Sequence, residues 1–172
     1  ESLLAAAEVL GALGQHERQA QLLEQVQARG QSNPEALYQL AYVYGQMGRY
    51  GDGLRTLAML EDKPGVDPVR LERERIYIRS ARLYEIDDSA ERGRIQTELI
   101  TSLERYLKTR SESEFQIQLA RLYAAQGDVE RAQAMLDSVQ NPPPAAWVLL
   151  ADAYVQAGQR NAATAALARI EK

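Results

Sequence analysis

The sequence predicts an all-α protein, an α-solenoid of helix-turn-helix repeats with about five units. Three observations carry this. First, a frame of apolar, small and aromatic residues recurs: Trp147, Leu150, Ala151, Tyr154, Gly158, Ala163 and Leu167 in one copy. Gln116, Leu119, Ala120, Tyr123, Gly127, Ala132 and Leu136 repeat it, as do Leu37, Leu40, Ala41, Tyr44, Gly48, Gly53 and Leu57. Leu3, Ala6, Ala7, Leu10, Gly14, Gln19 and Leu23 form a weaker copy. Second, in each copy a small residue precedes a turn glycine by seven positions, and Gly14 stands 34 residues before Gly48. Third, the apolar positions fall at i, i+3, i+4 and i+7, the spacing of one face of a helix.

The elements follow in order. A first helix is predicted over 2–13, with Gly14 as its stop, and a second over 17–28, ending at Gly30. Asn33 then serves as N-cap and Pro34 as the first helical residue of the next helix. Its partner covers 50–60. The turn signals Pro64-Gly65 and Asp67-Pro68 introduce a long helix over 68–84, where Tyr77, Ser80, Ala81 and Tyr84 offer the frame again. Gly48 to Gly127 is 79 residues, two periods plus 11. About six extra residues are assigned before Arg75 and the rest to an acidic-then-basic loop over 85–94. A helix over 95–108 follows, with Leu99, Leu103 and Tyr106 inward. The fourth unit spans 113–140. Pro142, Pro143 and Pro144 cannot continue a helix and set the entry to the last unit, whose final helix covers 161–171. The predicted organisation is one solenoid over 1–172, a fragment of a longer protein. Its repeats are 1–33, 34–67, an atypical 68–112, 113–143 and 144–172.

Two antiparallel helices approach closely only where side chains are small, a role that Ala7, Ala41, Ala81, Ala120 and Ala151 are placed to fill. Tyr44, Tyr84, Tyr123 and Tyr154 fall one turn later. Each ring is expected to lie against the partner helix and the next unit, its hydroxyl reaching a polar group or water.

The motif Trp147-x-x-Leu150-Ala151-x-x-Tyr154, with Gly158 and Ala163, resembles the tetratricopeptide repeat pattern, and the resemblance covers nearly the whole chain. It implies a right-handed superhelix whose first helices line a concave groove. It also implies a non-catalytic scaffold holding a partner segment or enzyme domain. Carried over by repeat position, the groove residues include Tyr38, Tyr42, Gln46, Ile78, Arg82, Ile117, Arg121, Asp152 and Gln156, with Leu4, Glu8 and Val148 beside them. The Lys and Asn with which some members clamp the carboxylate tail of heat-shock chaperones are missing, so that subtype is rejected. The Gln- and Ala-rich, cysteine-free character is similar in style to periplasmic repeat arrays of bacterial exopolysaccharide secretion. That similarity favours the periplasm over the cytoplasm. The alternative function is a carbohydrate-handling module in which Tyr38 and Tyr42 contact an exported polysaccharide.

The rest of the sequence argues against chemistry. Net charge is −4 over 172 residues, which disfavours nucleic acid, and there is no cysteine for disulfide or thiol chemistry. No apolar stretch is long enough for a membrane span. His16 is the single histidine, so neither a histidine-rich metal site nor a second imidazole for catalysis is available. No phosphate-binding glycine loop or nucleophile-elbow motif occurs. No metal, cofactor or catalytic residue is expected. The arginines Arg70, Arg73, Arg75, Arg79 and Arg82 read as a solvated face paired with Glu72 and Glu74. A second reading points Arg75 and Arg82 into the groove with Arg121, to bind an anionic segment.

Overall fold

The computed structural model describes residues 3–30 and 33–170. The described residues form ten α-helices and no strand. The chain divides after Ile95 into two compact units. The first holds α1 (Leu3–Ala12), α2 (His16–Ala28), α3 (Pro34–Gln46), α4 (Tyr50–Ala58) and α5 (Pro68–Glu85), with the start of α6 (Ser89–Leu107). The second holds the remainder of α6, α7 (Ser113–Ala125), α8 (Val129–Asp137), α9 (Pro144–Gln156) and α10 (Arg160–Leu167).

Local chemistry explains the boundaries. The Asn33 side chain accepts a hydrogen bond from the Ala36 N–H at 2.8 Å, and Pro34 opens α3 at a position whose N–H has no helical partner. Asp67 and Pro68 do the same for α5, with the Val69 N–H donating to Asp67 at 2.9 Å. Gly48 ends the turn of α3 at φ +70°, where the Arg49 N–H reaches back to the Tyr44 carbonyl at 2.8 Å. Gly127 repeats this at φ +78°, with the Asp128 N–H on the Tyr123 carbonyl at 2.9 Å. A side chain at φ near +60° crowds its own carbonyl, which is why glycine terminates these helices.

Each unit is built by stacking pairs. In the first, α1 packs on α2, α2 on α3, α3 on α4, and α5 on both α3 and α4. Leu40, Val43 and Tyr44 of α3 join Ala7, Ala20, Leu23 and Val26 in one core. Leu37 and Ala41 of the same helix join Leu57, Leu60, Leu71 and Ile78 in the next. One helix thus supplies two cores, the arrangement that makes a repeat depend on its neighbours. In the second unit α9 packs on α7, α8 and α10. Phe115, Leu119, Leu136 and Leu150 are fully buried there, and Tyr106 meets Phe115 edge to face at 5.1 Å.

The third repeat corrects the sequence reading. Tyr84 is 78% exposed and Ala81 is exposed, so neither joins the core. Leu71, Ile76 and Ile78 are the buried residues of α5. They follow the strict period: Asn33, Leu37, Tyr44 and Gly48 lie 34 residues before Asp67, Leu71, Ile78 and Arg82. No residues are inserted before Arg75. Because Arg82 replaces the turn glycine, α5 runs a further turn to Glu85. Helix α6 then starts at Ser89 rather than 95, with the Glu91 N–H donating to Asp88 at 2.7 Å. Most of the expected loop over 85–94 is therefore helix. The last helix ends at Leu167, short of the expected 171, which lies outside the described residues.

Candidate functional site

Three frame tyrosines act as joints, each tying the first helix of a pair to the preceding helix. The Tyr44 hydroxyl on α3 donates to Glu24 of α2 at 2.6 Å, under the Arg49 guanidinium at 4.3 Å. The Tyr123 hydroxyl on α7 donates to Glu104 of α6 at 2.5 Å, with Arg131 4.5 Å from the ring centre. Tyr154 on α9 donates to Gln133 of α8. Burial, then the hydrogen bond to a carboxylate, pushes the Tyr44 and Tyr123 hydroxyls up to about 12. Burial raises Tyr154 too. These rings are occupied by cohesion and leave binding to other positions.

In the first unit, Tyr42 and Gln46 stand exposed on α3, Tyr42 at 57%. They face Arg73, Glu74, Tyr77 and Ala81 of α5 across a cleft of about 520 Å³ floored by Gly45 and Ile78. Ile78, assigned to the groove from the sequence, is buried in the core and presents only its edge there. Tyr38 is likewise buried, at 6% exposure, rather than open to a ligand. Its ring lies under Arg70 at 4.0 Å, and Arg70 grips Glu35 through two bonds of 2.8 and 3.1 Å. Arg82 departs from its expected place: it lines a separate crevice with Arg49, Tyr50 and Asp52 and pairs with Glu91. Arg75 pairs with Glu61 and, at 3.7 Å, with Glu72. The anion-binding pair of arginines is therefore already neutralised.

Arg73, Glu74, Tyr77 and Ala81 went unassigned as groove residues in the sequence reading. The strict 34-residue period would have found them, since it rotates α5 so that this face looks toward Tyr42. The Arg73 guanidinium sits 5.6 Å from the Tyr77 ring centre. Burial raises the Glu74 carboxyl above its ordinary range, against the opposing pull of Arg70 and Arg73. Tyr42 and Glu74 also wall a recess of about 220 Å³ with Gln19, Glu35, Tyr38, Gln39 and Arg70. The Tyr38 hydroxyl and the side-chain carbonyl oxygens of Gln19 and Gln39 are buried at this recess with no hydrogen-bond partner among the described residues.

In the second unit, α7 carries half-buried Ile117 and exposed Arg121, which has no ion pair or hydrogen bond among the described residues. Helix α9 presents Val148 and Val155, 51% and 55% exposed, with Asp152 and Gln156. The Gln156 amide donates to Asp152 at 2.9 Å. No group of three or more His, Cys, Asp or Glu among the described residues could hold a metal. No described helix is long and apolar enough to cross a membrane.

Residues 113–138, covering α7 and α8, match the family model of the tetratricopeptide repeat. No curated protein sequence matches the chain. Solved structures do. MamA aligns over 98% of this chain and 87% of its own, with TM-score 0.75 and 17% identity. YrrB, described as a tetratricopeptide repeat protein with an unusual peptide-binding site, aligns over 98% and 82%, with TM-score 0.74 and 16% identity. TTC0263 of Thermus thermophilus, a thermophilic protein of the same repeat class, aligns over 98% and 88%, with TM-score 0.58 and 20% identity. The matched segment is a tetratricopeptide repeat, and the chain has the all-helical fold of the tetratricopeptide repeat proteins it resembles.

Proposed function

We propose that this protein is a non-catalytic scaffold that holds a partner segment, or a domain of a partner enzyme, against the exposed faces of its first-of-pair helices. The observation that carries the reading is the contrast along α3. Tyr44 is buried and hydrogen-bonded, whereas Tyr42, two residues earlier, stands open over a cleft. An exposed tyrosine beside a preformed cleft is the usual anchor of a binding hot spot. Arg121, Val148 and Val155 give the second unit a comparable exposed face. YrrB, of similar fold, is described as binding peptide, and we extend that class of ligand to this chain. A periplasmic setting in exopolysaccharide secretion is part of the proposal on compositional style alone. The polysaccharide alternative relied on two exposed rings at 38 and 42, and only Tyr42 is exposed.

The test is capture of a partner from the source cells by the protein and by Tyr42→Glu and Val148→Glu variants, with circular dichroism as a folding check. The proposal expects at least one variant to lose the captured protein while its helical signal persists. Retention by both variants would overturn it.

A further inference from the structure

The cleft of the first unit is rich in hydrogen-bond acceptors and poor in free donors. Glu74, half-buried between Tyr42 and Tyr77, has no hydrogen-bond or ion-pair partner among the described residues. The two cations nearest it are engaged: Arg70 by Glu35, and Arg73 at the Tyr77 ring and hydroxyl. The adjoining recess adds the Tyr38 hydroxyl, on a side chain more than nine-tenths buried, and the Gln19 and Gln39 carbonyl oxygens, all without partners. The Gln39 amide is already committed to Glu8 at 3.3 Å, which fixes its oxygen as the open end. Leaving buried polar atoms unpaired is costly, so a ligand that supplies N–H donors here gains more than one that supplies acceptors.

We propose, resting on the scaffold reading above, that this cleft takes an arginine side chain of the partner segment. The guanidinium pairs with Glu74, its stem lies between the Tyr42 and Tyr77 rings, and its remaining N–H groups turn toward the recess. Arginine fits better than lysine. Its planar fork offers five donors to several separated acceptors, and it stacks on aromatic faces as Arg70 already does on Tyr38. An acidic segment is disfavoured, because Glu8, Glu35 and Glu74 all lie at or beside the cleft.

The experiment selects a phage-displayed dodecapeptide library on the intact chain. The best binders are then titrated calorimetrically against the parent protein, Glu74→Gln and Tyr42→Ala. The proposal expects enriched peptides to share an arginine. Replacing that arginine by citrulline, which keeps the shape and removes the charge, should weaken binding at least tenfold to the parent and little to Glu74→Gln. A double change that costs no more than either single change is the signature of direct pairing. Binders that depend on Tyr42 but not on Glu74 or arginine would overturn this inference and leave the scaffold reading standing. Binders indifferent to both Tyr42 and Glu74 would overturn it together with the assignment of this cleft as a binding face. Unchanged melting of Glu74→Gln separates lost pairing from lost fold.

Discussion

Replacing Tyr123 by phenylalanine isolates a single joint between helices. The ring is 4% exposed and stays in place, so no cavity forms. What is lost is one hydroxyl donating to the Glu104 carboxylate at 2.5 Å. A hydrogen bond to a charged group contributes about 1.5–3 kcal/mol. Glu104 keeps Arg131 at 3.5 Å and is partly solvated, so it does not become an unpaired buried charge. The expected cost therefore sits at the lower end, about 1.5 kcal/mol. Trp147 is the only tryptophan and lies in the same unit, so its fluorescence in a urea titration reports this unit directly. Tyr84→Phe is the control, because at 78% exposure its hydroxyl is solvated in both states and the change should stay within about 0.5 kcal/mol. Equal midpoints for the two variants would refute the view that the frame tyrosines fasten each pair to the helix before it.

Ala120→Leu inserts three carbons at a helix crossing where Ala120 is 2% exposed, and should destabilise by about 1–3 kcal/mol in the same titration. Gly127→Ala should cost about 1–2 kcal/mol from backbone strain alone, since its φ is +78° and nothing lies within 4 Å of an added methyl. Gly93→Ala, also in open space but inside α6, should stabilise by about 0.5–1 kcal/mol; matching effects from the two would contradict the assigned backbone roles. Tyr44 and Tyr123 have folded-state values raised from 10.0 to about 12, so the unfolded chain loses these protons first. Their contribution is complete below pH 10 and fades as pH rises to 12, so the melting temperature should fall across that window. A Tyr44→Phe, Tyr123→Phe double variant should show a shallower fall.

Repeat identity was legible because glycine stops, small crossing residues and tyrosines are single-residue signals at fixed spacing. The third repeat hid because its markers are replaced in kind: Ile78 stands where Tyr44 stands one period earlier, and Arg82 where Gly48 stands. With the aromatic and glycine cues gone, the nearby tyrosines at 77 and 84 drew the frame out of phase, although Asn33-Pro34 and Asp67-Pro68 mark the true period. A shift of one residue turns a helix by about 100°, enough to exchange core for cleft. That rotation removed Arg82 from the groove and brought in Glu74 and Tyr77. The burial of Tyr38 was not legible, because it depends on Arg70 of the next repeat folding over its ring.

Site-specific photocrosslinking in cells of the source organism tests the central claim most directly. A benzophenone side chain would be placed at positions 42 and 148, on the exposed faces of α3 and α9, and at positions 55 and 134, on α4 and α8. The account predicts a discrete crosslinked partner band from 42 or 148 and none from 55 or 134. Crosslinking confined to 55 and 134 would contradict it and move the binding surface to the second helices of the pairs.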